Sequence, residues 1–304
     1  MNSEELFKDK FFKNNMKTLK LIYSDSSGNR TFKNSLDQVI EIFTDAGYHI
    51  SVLRAKKLED IQNSLINKDY HTIVAAGGDG TLNAVVNSVL KNNINTKIGI
   101  IPAGTANDFA RYLNIQKPYY EAAKIIAEGK TKKVDIGRIN DSFFVNVFGI
   151  GLITNISNYV DLSLKNTLGN MAYYLKALEK IQNLEPMSLT IKNSSEIINE
   201  KLLFFLALNS GGAGGFDNLT ESDISDGKFD CVGVKECTIP EAMALLLSFL
   251  KGEHLQNDNV LYYRDNYTEI LYCSHQETNV DGEKGPSLPI KLTMGDCRLD
   301  IYVP

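Results

Sequence analysis

The sequence predicts two domains, an α/β domain with a parallel sheet followed by a mainly antiparallel β domain. Three observations lead there. Between residues 19 and 105, short apolar runs alternate with segments of helical period, the pattern of strands covered on both faces by helices. Beyond about residue 134 the segments become short, β-branched and alternating, as antiparallel strands do. Glycine-rich loops stand where apolar runs hand over to helices, and open α/β sheets bind ligands at such strand ends. The division is a lead-in over 1–16, an α/β domain over 17–133 and a β-rich domain over 134–304.

Residues 1–16 carry Phe7, Phe11 and Phe12 among Lys8, Lys10 and Lys13. Two readings stay open: a basic amphipathic helix for a membrane surface, or an ordinary packing helix at a chain end. Residues 19–23 read as the first strand and 24–30 as a polar turn. Leu36, Val39, Ile40 and Phe43 recur at helical spacing, and Gly47 ends that helix. A strand over 49–53 and a helix over 58–67 follow. Residues 72–76 form a short apolar run suited to a buried strand. Then come a loop over 77–81, a helix over 82–90, a strand over 97–101, a loop over 102–104 and a helix from Ala106.

In the second domain, strands are expected at 143–148, 187–192, 202–208, 229–235, 267–272, 290–293 and 299–303. One helix is expected around 169–182. Another follows Thr238, where a Thr-x-x-Glu signal ending at Glu241 and the proline Pro240 mark a start.

Composition excludes several classes. The chain has 304 residues and a formal net charge of -5, which argues against general nucleic-acid binding but leaves room for a local basic patch facing an anionic membrane. Four cysteines stand at no CxxC spacing and read as reduced packing residues of a cytoplasmic protein. The longest strongly apolar helical run, 242–250, falls far short of the ~20 residues of a membrane span. Residues 1–15 are polar and charged, so no signal peptide is expected there. Any membrane contact is therefore expected to be peripheral.

The strongest chemical signal is Gly77-Gly78-Asp79-Gly80-Thr81, between a buried strand and a helix. Glycines let backbone N–H groups approach a phosphate, and the helix N-terminus adds positive charge. Asp79 makes sense there if Mg2+ bridges it to phosphates. The alternative is a glycine-rich turn with Thr81 as N-cap. Pro102-Ala-Gly104-Thr105-Ala-Asn107-Asp108-Phe109 repeats the strand–loop–helix arrangement. Thr105 and Asp108 fit a capping pair, or the loop completes a phosphate cradle. Asp223 and Asp226, beside Gly227 and Lys228, fit either a hard-cation site or an Asp-Gly turn. Asp281-Gly282-Glu283 fits a hairpin turn or a carboxylate base with a second carboxylate two residues on.

Taken in order, these motifs resemble the diacylglycerol kinase catalytic-domain family, specifically its soluble bacterial lipid kinases. The resemblance runs from about Lys17 to Pro304. It rests on 77–83 (GGDGTLN), 104–111 (GTANDFAR), Gly149-Ile-Gly151, Gly214-Gly-Phe216, Asp226-Gly227, Gly252-Glu-His254 and Asp281-Gly-Glu283. It implies an N-terminal α/β domain like that of NAD kinases and phosphofructokinases and a β-sandwich-like C-terminal domain, with ATP bound between them. It implies that Asp79 positions a catalytic Mg2+. Gly77, Gly78, Asp79, Gly80, Thr81, Leu82, Asn83, Gly104 and Thr105, with Ser27 and Gly28 of the first loop, would bind the nucleotide. Asp108 would belong to the linked charged network, Asp281 would be the general base with Glu283 beside it, and Asp223, Asp226 and the Lys228 carbonyl would hold a structural Mg2+.

Two departures stand out: Ser24-Asp25-Ser26-Ser27-Gly28 replaces the usual Asn-Pro-x-Ser-Gly, and Thr220-Glu221 replaces an Ala-Pro pair. The expected activity is ATP- and Mg2+-dependent phosphorylation of a membrane lipid hydroxyl, diacylglycerol first, by a protein working transiently at the inner face of the membrane. Homodimerisation is a further implication. The rivals are a kinase for another lipid (phosphatidylglycerol, monoacylglycerol, a sphingoid base) or for NAD, and a non-catalytic nucleotide-binding regulator.

Overall fold

The computed structural model describes residues 17–24, 31–115, 118–151, 186–214, 219–274 and 277–304. The lead-in and the helix expected at 169–182 lie outside them. The chain forms two compact units. One runs to Lys133 and is resumed by Leu299–Pro304; the other is Val134–Arg298.

The first unit contains β1 (Lys17–Ser24), α1 (Leu36–Asp45), β2 (Tyr48–Ala55), α2 (Leu58–Leu65), β3 (Thr72–Gly77), α3 (Asp79–Lys91), β4 (Lys97–Pro102), α4 (Asp108–Tyr112) and α5 (Tyr119–Glu128). Its strands are parallel in the order β4-β3-β1-β2. All six residues of β3 are buried, which is why its sequence is a run and not an alternation. Leu19, Leu21, Ile22, Ile73, Val74, Ile98 and Ile101 form the sheet's core, each such side chain contributing about 1.5–3 kcal/mol by leaving water. Helix α5 has no counterpart among the expected elements. It starts after Pro118 and stops at Gly129, whose φ of 85° is left-handed, the usual proline–glycine asymmetry of helix ends.

The second unit contains most of β5 (Thr131–Ile139), β6 (Ser142–Phe144), β7 (Val147–Gly151), β8 (Met187–Asn193), β9 (Ile197–Leu208), β10 (Phe229–Lys235), α6 (Ile239–Lys251), β11 (Val260–Asp265), β12 (Tyr267–Cys273), β13 (Thr278–Val280), β14 (Glu283–Lys284) and most of β15 (Ile290–Tyr302). Its ladders are antiparallel. Strand β9 is long enough to pair β8 with its first half and both β7 and β10 with its second. Phe144, Phe148, Phe205, Phe229, Ile270 and Leu292 lie in the core of this sandwich-like unit. At the start of α6, the Glu241 carboxylate accepts hydrogen bonds from Thr238 N (2.6 Å) and Thr238 Oγ1 (2.7 Å), as the capping signal implied.

Three expected strands are redrawn. The run at 143–148 is broken at Val145-Asn146 into β6 and β7, because the N–H groups there leave the ladder for a carboxylate. The runs at 290–293 and 299–303 are one strand, β15, whose end pairs parallel with β4 through Asp300 and Ile301. Residues 299–304 therefore belong to the first unit, where the Tyr302 hydroxyl lies 2.9 Å from Thr72 Oγ1.

Candidate functional site

In the first unit, parallel pairing of β3 and β4 puts Gly77 opposite Pro102, so the two motif loops leave the sheet side by side. Ala103 N donates to Gly77 O at 2.9 Å. The loops then touch backbone to backbone. A Cβ on Gly104 would stand 2.3 Å from Gly78 Cα, and one on Gly77 would stand 2.3 Å from Thr81 Oγ1. Real Cβ atoms do not approach so closely, so glycine is required for space at both positions. Asn107 brackets Gly104, its Oδ1 accepting from Gly104 N and its Nδ2 donating to Gly104 O, both at 2.9 Å. Its own backbone is left-handed, with φ 51°, a conformation Asn tolerates better than most residues.

Asp79 opens α3, and Gly78 is the N-cap. Helix α3 thus begins inside the motif, three residues ahead of expectation, and Thr81 is not the cap. Asp79 Oδ2 accepts from Asp108 N at 3.2 Å, and Asp79 Oδ1 accepts from Phe109 N at 3.3 Å. These are the first N–H groups of α4, which has no cap from its own N-cap side chain. Asp79 therefore caps α4 from the neighbouring loop, and the expected Thr105–Asp108 capping pair does not form. Thr105 is exposed. Asp108 is buried and paired with Arg111, whose Nη2 donates to Asp108 Oδ1 at 2.5 Å. Leu82 is buried in the core, so only its backbone is placed for a nucleotide contact. Asn83 Oδ1 accepts from Asn87 Nδ2 at 3.0 Å. Ser27 and Gly28 lie outside the described residues.

Mg2+ is commonly bound through one or two carboxylates, with substrate phosphates and water completing its shell. A partly exposed Asp79, beside glycine backbone at a helix N-terminus, fits that donor chemistry.

In the second unit, Val280↔Glu283 is the last pair of the β13–β14 hairpin. Asp281 (φ 50°) and Gly282 (φ 92°) are both left-handed, as a two-residue type I′ turn demands. The Asp281 side chain turns inward and is 4% exposed. Its Oδ2 accepts from Val145 N at 2.6 Å, and its Oδ1 accepts from Asn146 N and Val147 N, both at 2.8 Å. Three consecutive N–H groups thus form an anion nest around this carboxylate. Glu283 is exposed.

Asp223 and Asp226 lie in a loop held by protein groups. Asp223 Oδ1 accepts from Ser225 N (3.0 Å) and Ser225 Oγ (2.6 Å). Asp226 Oδ1 accepts from Lys228 N at 2.9 Å, and its other oxygen pairs with Arg264 Nη2. Fully buried Asp135 anchors the loop from beneath, accepting from Gly227 N at 2.7 Å and from Arg298 Nε at 2.6 Å. Among the described residues no group of three or more His, Cys, Asp or Glu side chains is arranged to hold a metal. Arg264 pairs with Asp226 inside this loop. Arg264 Nε also reaches Asp230 Oδ1 (3.3 Å), to which the Tyr262 hydroxyl donates at 2.6 Å. Burial, and then Asp230, push the Tyr262 hydroxyl above its ordinary range.

Sequence reasoning passed over Asn107, Asp135, Asn146 and Arg298 as site-building residues. Asn107 stands inside a recognised motif, and the frequency of Asn at positive φ was its available signal. Asn146 reaches Gly212, Asp135 reaches Gly227 and Arg298 reaches Asp135 across 66, 92 and 163 residues of chain, where spacing carries no information.

The described residues contain no helix long and apolar enough to cross a membrane. A family model described as the diacylglycerol kinase catalytic domain matches residues 18–139. A second, described as the YegS C-terminal NAD kinase beta sandwich-like domain, matches residues 148–303. A diacylglycerol kinase of Bacillus subtilis (strain 168) is 33% identical over 279 residues, covering 90% of this chain and 92% of that protein. One from Staphylococcus aureus (strain Newman) is 32% identical over 292 residues, covering 95% and 93%. In fold, the chain is similar to a crystal structure titled as a diacylglycerol kinase from Bacillus anthracis str. Sterne. The TM-score is 0.77 at 22% identity, with 95% of this chain and 98% of that one covered.

Proposed function

The chain belongs to the diacylglycerol kinase family and is a kinase with an alcohol acceptor, and from that premise we propose that it transfers the γ-phosphate of ATP to the hydroxyl of diacylglycerol, giving phosphatidic acid. The observation that carries this reading is the Asp79 carboxylate at the mouth of two interlocked glycine loops, at the N-terminus of α3.

Phosphoryl transfer needs alignment, charge neutralisation and a group to accept the hydroxyl proton. The backbone of 77–83 and 104–105 supplies N–H groups and close approach for the phosphates. Asp79 would hold a Mg2+ ion, which would neutralise phosphate charge. Asp108, locked on Arg111, keeps the α4 terminus in place under Asp79. Asp281 accepts the proton as the acceptor oxygen bonds to the γ-phosphorus and the bridge to the β-phosphate breaks, releasing ADP. Its three backbone donors fix its oxygens in orientation, which serves a base that must meet a hydroxyl at hydrogen-bond distance. A lipid acceptor brings the protein transiently to the bilayer surface.

The test is transfer of labelled γ-phosphate from ATP with Mg2+ to mixed micelles of diacylglycerol, monoacylglycerol, phosphatidylglycerol and a sphingoid base, with NAD in a separate tube. Labelled phosphatidic acid that disappears in Asp281→Asn supports the reading. Label on another acceptor replaces the substrate, and transfer undiminished in Asp281→Asn removes Asp281 as the base.

A further inference from the structure

We propose that Asn146 is a positioning residue for Asp281, joining that carboxylate to the glycine loop that begins at Gly211. The inference rests on the reading of Asp281 as proton acceptor.

The sequence around Asn146 reads as uninterrupted strand, yet the chain departs from the ladder there. Asn146 is 2% exposed, and Asn209 and Ser210 are 0% exposed. Burying so many amide and hydroxyl groups is unfavourable compared with an apolar strand end unless each is paired. Here nearly all are. Asn146 N donates to Asp281 Oδ1 at 2.8 Å, and Asn146 O accepts from Asn209 N at 2.8 Å. Its side chain spans to the second segment, with Nδ2 donating to Gly212 O at 3.1 Å and Oδ1 accepting from Ser210 Oγ. One residue thus holds the carboxylate with its backbone and the glycine loop with its side chain.

On the far side, Gly211 O accepts from Leu219 N (2.7 Å) and Thr220 N (3.3 Å). The other arm of the nest is braced as well. Val145 N holds Asp281 Oδ2, and Val145 O accepts from Asn209 Nδ2 at 2.8 Å. Asn209 Nδ2 donates equally to Asp135 O at 2.8 Å. Two carbonyl acceptors fix which way that amide points, and its Oδ1 is left buried without a protein partner. Paired in this way the network stabilises the strand end, but a plain ladder with apolar side chains would do that as well. Fixing the peptide N–H groups that aim Asp281 gives it a purpose, because small misplacements of a reacting group are costly in rate.

The test uses the full-length protein, diacylglycerol micelles and Mg2+-ATP, in single-turnover and steady-state assays with Asn146→Ala, Ser210→Ala, Asp281→Asn and the doubles with Asp281→Asn. Asn146→Ala is expected to lower kcat by ~10- to 100-fold and to leave KM for ATP within about 2-fold. In the Asp281→Asn background it should lower the residual rate no further, because the group it positions is gone. Ser210→Ala, a smaller change that removes one anchor of the Asn146 side chain, should lower kcat by about 3- to 10-fold and be silent in the same background. If Asn146→Ala fails to fold, Ser210→Ala carries the test. An unchanged kcat, or the same fold-loss repeated in the Asp281→Asn background, overturns the positioning role while the base reading stands. Near-normal turnover in Asp281→Asn alone overturns both.

Discussion

Replacing Asp281 by Asn should cost folding stability as well as turnover, and the structure sets the size of the effect. The backbone is not the cause, since Asn accepts φ near 50° as readily as Asp. The side-chain chemistry is. A carboxylate accepts at both oxygens, and here those oxygens receive three N–H groups at 2.6–2.8 Å. The amide's best placement keeps its one oxygen toward Asn146 N and Val147 N and turns its NH2 toward Val145 N. Two donors then face each other in a site 4% exposed. Losing a hydrogen bond to a charged acceptor costs about 1.5–3 kcal/mol, and an orphaned buried donor about 1–3 kcal/mol. The two remaining bonds also weaken as their acceptor loses its charge. Allowing for overlap, the expected loss is about 3–5 kcal/mol, or roughly 6–20 °C in Tm for a unit of this size. Calorimetry and urea titration of wild type and Asp281→Asn at pH 7 would measure it. A Tm within about 1 °C of wild type would refute the claim that these N–H groups grip the carboxylate, whatever happens to activity.

Three further outcomes follow from the same structure. Gly104→Ala should force the motif loops apart, because its Cβ would meet Gly78 Cα at 2.3 Å and Gly78 N at 2.9 Å; the overpacking costs about 1–3 kcal/mol, and a raised KM for ATP together with a lowered Tm checks it. Of the four thiols, Cys231 and Cys273 are buried, and burial pushes the Cys231 thiol up to about 12; a disulfide reagent at pH 8 should therefore titrate only Cys237 and Cys297 in the folded protein, and all four after denaturation. Burial pushes the Asp265 carboxyl up, but hydrogen bonds from Ser194 and from Asn266 N and Tyr267 N outweigh it and hold it below its usual value. Its folded value being depressed, its contribution is present above the unfolded value of ~3.9 and is lost as pH falls below it; Asp265→Asn should flatten that part of the stability–pH curve.

The first unit was readable because parallel α/β architecture writes each element locally. β3 is a buried apolar run, glycines mark the strand ends, and neighbouring parallel strands bring consecutive loops to one sheet edge. Even so, which residue caps which helix was not legible. Thr105 and Asp108 match a capping pattern, but the Asp79 carboxylate takes the first N–H groups of α4, and a competitor from another loop leaves no mark in local spacing. The second unit was harder. Its strands show their alternation, while the break at Val145-Asn146 is invisible because both residues fit a strand. It exists because Asp281, more than 130 residues on, offers a better partner for those N–H groups.

Periodicity and turn chemistry act over a few residues, so the two-part architecture, most elements of the parallel unit and the glycine loops were legible in the chain alone. The tertiary structure alone decided what each carboxylate does in the fold. Asp79 caps a neighbouring helix, Asp281 is held in a nest of three backbone N–H groups, and Asp226 pairs with Arg264. Hydrogen bonds and ion pairs reach only about 3–4 Å. Which groups come within that distance depends on how strands far apart in the chain lie side by side.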